Sequence, residues 1–174
     1  GHVRQSQAVA RMIEVALKER GIKSETQIVD VVFKNKLASK WIALFSFLSP
    51  PQFSQGRLRY LKWFLTKQSF LNIVRVKADF VISCGSSVAG VNFLLSRDYR
   101  AKSICILKPG ILSFKRFSLV ILPFHDKVAH PRGKVIFIQG APNLIDPNYL
   151  KEQSDLLVKR FLQLQSQRRV RIGV

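Results

Sequence analysis

The sequence predicts an α/β fold, a Rossmann-like doubly wound parallel sheet, and three observations lead to this prediction. The segment 78–97 combines a short apolar run, a Gly/Ser turn and apolar residues at helical spacing, which is typical of a buried strand, a tight turn and a helix. Three further apolar runs follow, and each is closely followed by Pro or Gly. Since helices or short crossovers separate these runs, a parallel sheet with helices on both faces is expected.

Composition indicates a globular domain that carries a large positive charge. The chain has 174 residues, of which 47% are hydrophobic, enough for one domain with a core. Lys and Arg total 29 against 10 Asp and Glu, a formal net charge of +19 that attracts nucleic acid, an anionic membrane surface or phosphorylated ligands. No apolar run reaches the length of a membrane span, and no signal-peptide pattern opens the chain.

The first half of the chain predicts three helices and one strand. A helix is expected at 3–20, with an apolar face and Gly21 as its end, followed by a strand at 26–33. No strand precedes this helix, although a βα unit would need one. Two short helices are expected at about 37–48 and 56–67, broken by a Ser-Pro-Pro sequence. The apolar face of the first helix consists of Val9, Met12, Ile13, Ala16 and Leu17.

The stretch 31–78 contains nine basic residues, nine aromatic residues and no acidic residue. In the helix predicted at 56–67, Leu58, Leu61, Phe64 and Leu65 share one side, and the opposite side combines cations with Trp63. This pattern favours an interfacial helix on an anionic membrane, because Trp lies at headgroup depth while Lys and Arg meet lipid phosphates. An ordinary amphipathic helix with solvated cations and a single-stranded nucleic-acid surface are the alternatives; long aliphatic runs among the aromatics favour the membrane. The expected membrane-binding residues are Trp41, Arg57, Arg59, Lys62, Trp63, Phe64 and Lys67.

The second half predicts the remaining strands and the ligand edge. Strands are expected at 80–82, 102–107, 117–122 and 135–138, with a last helix from Asp146 to about Gln165. Ser86 or Ser87 is expected to cap the helix after the first of these strands. A Gly/Ser turn there presents free backbone N–H groups at the carboxyl edge of the sheet, where open α/β sheets bind ligands. The alternative is a plain βα connection in which the small residues serve packing, and these residues alone favour this alternative.

Few side chains offer chemistry. His2 lies in the first loop, and His125 with Asp126 follows a strand, so a parallel sheet would bring both to its carboxyl edge, where a His can accept a proton or bind phosphate. A turn capped by Asp126 is the equally good structural explanation, and His130 is predicted as a loop residue. Cys84 and Cys105 lie in apolar runs without metal-ligand spacing, which predicts buried free thiols in a reducing compartment and no metal site.

Several short motifs are similar to one family. The opening Gly1-His2-Val3, with Gln5 or Gln7 and Ala8, resembles the G-H-x-x-Q loop of the glycosyltransferases of the mitochondrial-fission Elm family. The segments VISCG (81–85), LKPG (107–110), LVILPFHD (119–126) and QGAPN (139–143) follow in that family's order, with Ser118 where an Asp is usual. The tail 170–174 resembles the strand that opens the family's second domain. A weaker likeness runs to the peptidoglycan lipid-linked N-acetylglucosaminyltransferase, whose first loop also ends in Gly-His.

The resemblance implies the N-terminal half of a GT-B glycosyltransferase. It implies an acceptor-side domain at 1–167 without its first strand, and at 168–174 a linker and the start of an absent donor domain that would bind a nucleotide-sugar. His2 is the expected base, while His125 and Asp126 are expected to orient the site or bind acceptor phosphate, without a metal or other cofactor. The expected substrate-binding residues are Gly85, Ser86, Ser87, Pro109, Gly110 and Asn143.

The resemblance also implies a cellular setting. The expected acceptor is a lipid-linked or envelope glycan, and the expected location is cytoplasmic, peripheral on the inner face of the cell membrane. Without the donor domain, this chain alone is expected to be inactive. A non-catalytic membrane-associated adaptor, as the plant fission members of the family are thought to be, is the alternative, and nucleic-acid binding is disfavoured.

Overall fold

A four-stranded parallel sheet organises the chain in a computed structural model that describes residues 2–50, 57–143 and 147–160. The strands are β1 (Phe80–Cys84), β2 (Lys102–Ile106), β3 (Leu119–Pro123) and β4 (Val135–Ile138), in the order β1-β2-β3-β4. The helices are α1 (His2–Glu19), α2 (Ala38–Leu48), α3 (Leu61–Phe64), α4 (Lys67–Arg75), α5 (Ser86–Asp98) and α6 (Pro147–Arg160). Short 3₁₀ helices cover Leu58–Tyr60, Phe114–Arg116 and Phe124–Asp126. Two compact units result, 1–142 with the sheet and 143–174 with α6.

Helices cover both faces of the sheet, which confirms the predicted α/β, Rossmann-like class. Side chains alternate across a strand, so β2 directs Ile104 and Ile106 to one face and Cys105 to the other. Val9 of α1 packs with the first pair, whereas α2 and α5 pack on the Cys105 face. Parallel strands that are buried on both faces need near-continuous apolar sequence, and β2 and β3 supply it.

Helix α5 is the most deeply buried helix of the first unit. Phe93 and Leu94 are almost completely buried between the sheet and α2. The Asn92 side-chain nitrogen lies 2.9 Å from the Ile104 carbonyl oxygen, 3.2 Å from that of Val81 and 2.8 Å from Ser83 Oγ. A single amide group therefore fastens α5 to both β1 and β2.

The predicted strand at 26–33 is wrong, since this segment is extended but does not join the sheet. Its backbone pairs instead with the junction between α3 and α4: Thr66 N donates to Val32 O and Lys34 N donates to Phe64 O. Ser69 Oγ completes the pairing by bonding Val32 N and Asp30 O. The alternating apolar pattern in the sequence arises because Val29, Val31 and Phe33 pack against the core.

The same pairing explains why no single helix covers 56–67. Leu65 is extended, with ψ of 155°, and forms an isolated antiparallel bridge with Phe33 that ends α3. A new helix, α4, then begins after Thr66, whose side chain accepts from Ser69 N. Residue 56 lies outside the described residues. The predicted two-sided pattern is present nonetheless, because Leu58, Leu61 and Leu65 are buried while Trp63 is 68% exposed.

Smaller differences concern helix ends and faces. Neither Ser86 nor Ser87 caps α5: the N-cap position is Gly85, no side chain caps it, and both serines are already helical. Helix α1 is found close to its predicted bounds, but Met12 is 70% exposed and Ala8 and Ala10 are buried in its place. The predicted helix continuation beyond 160 and the tail at 168–174 lie outside the described residues. In the part of the chain that is described, no helix has the length and apolarity needed to cross a bilayer.

The close contact between α5 and α2 yields a stability prediction. A Cβ atom added at Gly90 would lie 2.9 Å from Ile42 Cγ2 and 3.2 Å from the Ile42 carbonyl oxygen. We therefore expect Gly90→Val to lower the free energy of unfolding by about 1–3 kcal/mol, the usual cost of overpacking. Urea denaturation of the variant and of the unsubstituted protein measures this loss of stability. Ser87→Val, at an exposed position of the same helix, is the control, and an equal loss in both variants would contradict the packing explanation.

Candidate functional site

The loops at the carboxyl edge of the sheet leave the strands through unusual backbone conformations. Gly85, directly after β1, has φ of +91°, and Leu107, directly after β2, has φ of +68°. A leucine in the left-handed region costs about 1 kcal/mol or more and persists only where its surroundings enforce it. Here Leu107 N donates to Ile121 O and the leucine side chain packs on the α1 face of the sheet. The turn after β2 is thus held rigidly beside the start of α5.

His2 lies at this edge as the first residue of α1. Its Nδ1 is 3.2 Å from Sγ of Cys84, the last residue of β1, and the Cys84 thiol donates to Oε1 of Gln5 at 3.2 Å. The His2 ring and the Gln5 side chain therefore contact the same thiol. The His2 side chain is exposed, and a neutral imidazole can accept a proton on one of its two ring nitrogens.

Two glycines bring the loops close together. A Cβ atom built on Gly85 would lie 3.6 Å from the His2 ring, and one built on Gly110 would lie 3.1 Å from Ser86 Cβ. Both glycines have positive φ, which side chains rarely adopt. The N-terminus of α5, the first turn of α1 and the loop after β2 therefore meet in one place. The first-turn N–H groups of α5 have no side-chain cap and remain available to an anion.

An ion pair links the loops after β2 and β3. Lys108 Nζ lies 3.1 Å from Asp126 Oδ1, and both side chains are partly exposed, so the pair adds little stability but orients the carboxylate. His125 is exposed beside it in the 3₁₀ helix that follows β3. Among the described residues, no hydrogen bond or ion pair joins His2 to His125 or Asp126.

The structure therefore assembles part of the predicted site. His2, Gly85, Ser86 and Gly110 are neighbours, and Ser87 is exposed in the same helical turn. Pro109 is fully buried, so its role in the loop is packing. Asn143 is exposed and belongs to the second unit. Sequence reasoning did not assign a role to Lys108 or connect Cys84 with His2, although both stand inside motifs it quoted.

Burial governs the two cysteines. It raises the pKa of the Cys84 thiol from 9.0 to about 11. It also raises the pKa of Cys105 to about 12, against a lowering hydrogen bond from Ser83. Both are free, buried thiols, as the sequence predicted. No group of His, Cys, Asp or Glu able to hold a metal ion occurs within the described ranges.

A second surface combines aromatic and basic side chains; we call it the aromatic surface, comprising Trp41, Phe45, Tyr60 and Trp63 with the cations around them. Phe45 and Tyr60 meet edge to face with ring centroids 5.3 Å apart, and Trp63 lies 5.3 Å from Tyr60. Trp41, one turn before Phe45 on α2, is 57% exposed. The guanidinium groups of Arg57 and Arg59 lie over the Phe45 and Tyr60 rings, and Lys62 and Lys67 are exposed. Phe64 differs from its predicted partners because it packs against the core.

Comparison with known proteins identifies the family. A family model described as Mitochondrial fission ELM1 matches residues 1–173. The chain belongs to this family. The match covers all of the motifs that suggested the resemblance, from the opening Gly-His to the tail. Neither the curated proteins nor the solved structures contain a significant match to the chain.

The raised pKa values predict unreactive thiols. At pH 8 we expect neither Cys84 nor Cys105 to react with iodoacetamide in the folded protein, since only the thiolate reacts and burial disfavours it. Both thiols should react after denaturation, and mass spectrometry gives the number of alkylated cysteines in each state. Above pH 9 the unfolded chain ionises before the folded one, so these thiols should lower stability as the pH rises further. Rapid labelling of Cys84 at pH 8 in the folded protein would contradict the raised pKa of this thiol.

Proposed function

We propose that the chain is the membrane-facing, acceptor-side domain of a nucleotide-sugar-dependent glycosyltransferase. The acceptor would be a lipid-linked or envelope glycan, and the protein would act from the cytoplasm on the inner face of the cell membrane. The nucleotide-sugar would bind a C-terminal donor domain. The observation that carries the proposal is the meeting of His2, the N-terminus of α5 and the Gly110 loop at the carboxyl edge of a parallel sheet.

His2 is the proposed general base. Glycosyl transfer to a hydroxyl needs a group that accepts the hydroxyl proton, and an exposed His side chain suits this role. The contact between Nδ1 and Cys84 Sγ holds the ring against the sheet edge. A buried thiol that stays protonated can play this orienting part without competing for the acceptor proton.

Asp126, His125 and Lys108 are proposed to bind the acceptor. Lys108 and the α5 N-terminus offer positive charge to an acceptor phosphate, and Asp126 can accept hydrogen bonds from sugar hydroxyls. Ser86 and Ser87 add exposed hydroxyl groups in the first turn of α5. The arrangement is that of a polar site for a phosphorylated glycan.

The aromatic surface is proposed to dock on the membrane. Trp41 and Trp63 are largely exposed and provide the amphipathic rings that favour the headgroup region, and Arg59 and Lys62 beside Trp63 meet lipid phosphates. Docking would bring the acceptor-binding edge within reach of a lipid-linked substrate.

Transfer of labelled sugar tests the enzymatic proposal. The protein expressed from the full gene would be incubated with membrane lipid extract and with uridine- and guanosine-diphosphate sugars labelled in the sugar. We expect label in the lipid fraction, and His2→Gln should reduce the rate about 100-fold or more, since general-base catalysis contributes that much. His130→Gln, at an exposed histidine outside the cluster, is the control. Equal rates for the His2→Gln and unsubstituted proteins would refute the assignment of the base.

Flotation with vesicles tests membrane docking. Because each basic residue at an anionic surface contributes about 1 kcal/mol, the double variant Arg59→Gln/Lys62→Gln should lower the partition coefficient about thirtyfold in low salt. The control Arg11→Gln/Lys18→Gln removes the same charge from the exposed side of α1. Equal losses in the two variants would show that net charge alone causes binding, without a docking surface.

A non-catalytic membrane-associated adaptor is the second candidate. It is favoured by the aromatic surface, which needs no part of the His2 cluster to bind a membrane or a protein. An adaptor predicts unchanged partner binding in His2→Ala and His125→Ala together with loss in Trp41→Ala and Trp63→Ala, measured by pull-down from cell extract. Loss of partner binding in the histidine variants would argue against it.

A further inference from the structure

We propose that a cavity at the amino edge of the sheet binds the phosphate group of a phosphorylated ligand. The cavity, of about 490 Å³, lies between the C-terminal end of α5, the start of β2 and the 3₁₀ helix before β3. This is the edge opposite His2, because parallel strands place all their starts at one edge and all their ends at the other. The inference is therefore independent of the proposed glycosyl transfer.

The lining of this amino-edge cavity is strongly cationic. Among the residues that the structure describes, its side chains include five cations and no carboxylate: Arg97, Arg100, Lys102, Lys115 and Arg116. Five positive charges around one concave space repel one another, and a low-dielectric wall on one side strengthens the repulsion. Such an arrangement is stabilised by an anion in the cavity.

Two of these cations are held by the protein and shape the cavity. Arg116 donates from Nη1 to the carbonyl oxygens of Ser46 and Ser49 and from Nη2 to that of Phe47, at 2.6–2.9 Å, which caps the C-terminus of α2. The Arg116 and Arg97 guanidinium groups lie 5.1 and 5.7 Å from the centroid of the buried Phe93 ring. Burial, and then the charge of Arg97, lowers the pKa of Arg116. Two like charges are thus fixed close together.

The other three cations are free to bind a ligand. The side chains of Arg100, Lys102 and Lys115 are exposed, and within the described ranges they form no hydrogen bond or ion pair with the protein. The negative end of the α5 dipole lies at Asp98 and attracts cations that are close to this end of the helix. Lys115, however, belongs to the 3₁₀ helix before β3. Their convergence on one cavity is therefore not explained by the helix end.

A pair of serines supplies neutral donors to the same cavity. Ser103 and Ser118 exchange bonds across β2 and the start of β3, since each hydroxyl oxygen accepts from the other residue's backbone N–H at 3.0–3.1 Å. Both hydroxyl groups act as acceptors in these bonds, so each keeps its own hydrogen for an additional acceptor. Phosphate oxygens are acceptors and suit both the hydroxyls and the exposed cations.

The size of the cavity indicates a phosphorylated molecule rather than phosphate alone, because small-ligand sites usually measure about 300–1,000 Å³. The phosphate ester has two possible sources, a soluble phosphorylated metabolite or a lipid headgroup. Phe47 and Leu48, at the end of α2 that Arg116 caps, are 48% and 69% exposed. They would lie against acyl chains if the source is a lipid.

Calorimetric titration of the full chain with pyrophosphate at 150 mM chloride tests the proposal. We expect saturable binding with one site per chain, and the triple variant Arg100→Gln/Lys102→Gln/Lys115→Gln should weaken it at least about tenfold, as expected for the loss of hydrogen bonds to charged groups. The matched control Arg11→Gln/Lys18→Gln/Lys23→Gln removes the same charge from exposed positions elsewhere. Thermal unfolding of both triples verifies that they fold.

The outcomes separate the proposal from simple charge attraction. No saturable binding, or equal weakening in the two triple variants, would overturn it. A competition experiment with vesicles containing phosphatidic acid then identifies the source of the phosphate ester. If pyrophosphate displaces the vesicles from the unsubstituted protein but not from the triple cavity variant, the ligand is a lipid headgroup. Saturable pyrophosphate binding without vesicle displacement supports a soluble phosphorylated ligand. Neither result depends on glycosyl transfer or on the aromatic surface.

Discussion

The hydrogen bonds of the Asn92 amide hold α5 against the sheet, and both candidate sites lie at the ends of this helix. This buried nitrogen contacts the carbonyl oxygens of Val81 and Ile104 and the Ser83 hydroxyl, so it fixes α5 in both translation and rotation relative to β1 and β2. Gly90, one turn away from Phe93 on the same helix, allows α2 to approach closely. Because α5 runs antiparallel to the strands, its N-terminus lies at the carboxyl edge near His2, and its C-terminus lies at the cationic cavity. One helix therefore sets the position of both candidate sites.

The two edges of the sheet differ in the charges of the side chains around them. At the carboxyl edge, backbone N–H groups, one Lys–Asp pair and a histidine create a polar site of mixed sign. At the amino edge, cations gather without acidic side chains in the lining. The large net charge of the sequence is thus partly organised: some of it surrounds a cavity, and some of it lies beside exposed tryptophans on α2 and α3.

Much of the fold could be predicted because apolar runs and turn residues are local signals. All four strands and the helices α1, α2 and α5 lie where the sequence places them. The 26–33 segment could not be assigned correctly from its own pattern, since alternating apolar residues fit any extended chain with one buried side. Only the bonds to Thr66 and Ser69 decide that it stays outside the sheet. Likewise, the contact of His2 with Cys84 spans 82 residues, a distance at which residue types alone give no pairing.

Arg116 connects the amino-edge cavity with the rest of the surface. Its guanidinium binds three carbonyl oxygens at the end of α2, the helix that carries Trp41, while the same side chain lines the cavity. An anion that draws this guanidinium inward competes with those carbonyls, and an interaction that holds α2 in place restrains the guanidinium. By thermodynamic reciprocity, whatever free energy couples the first event to the second must also couple the second to the first. An anion in the cavity and a change at the C-terminal end of α2 would therefore act on the same side chain.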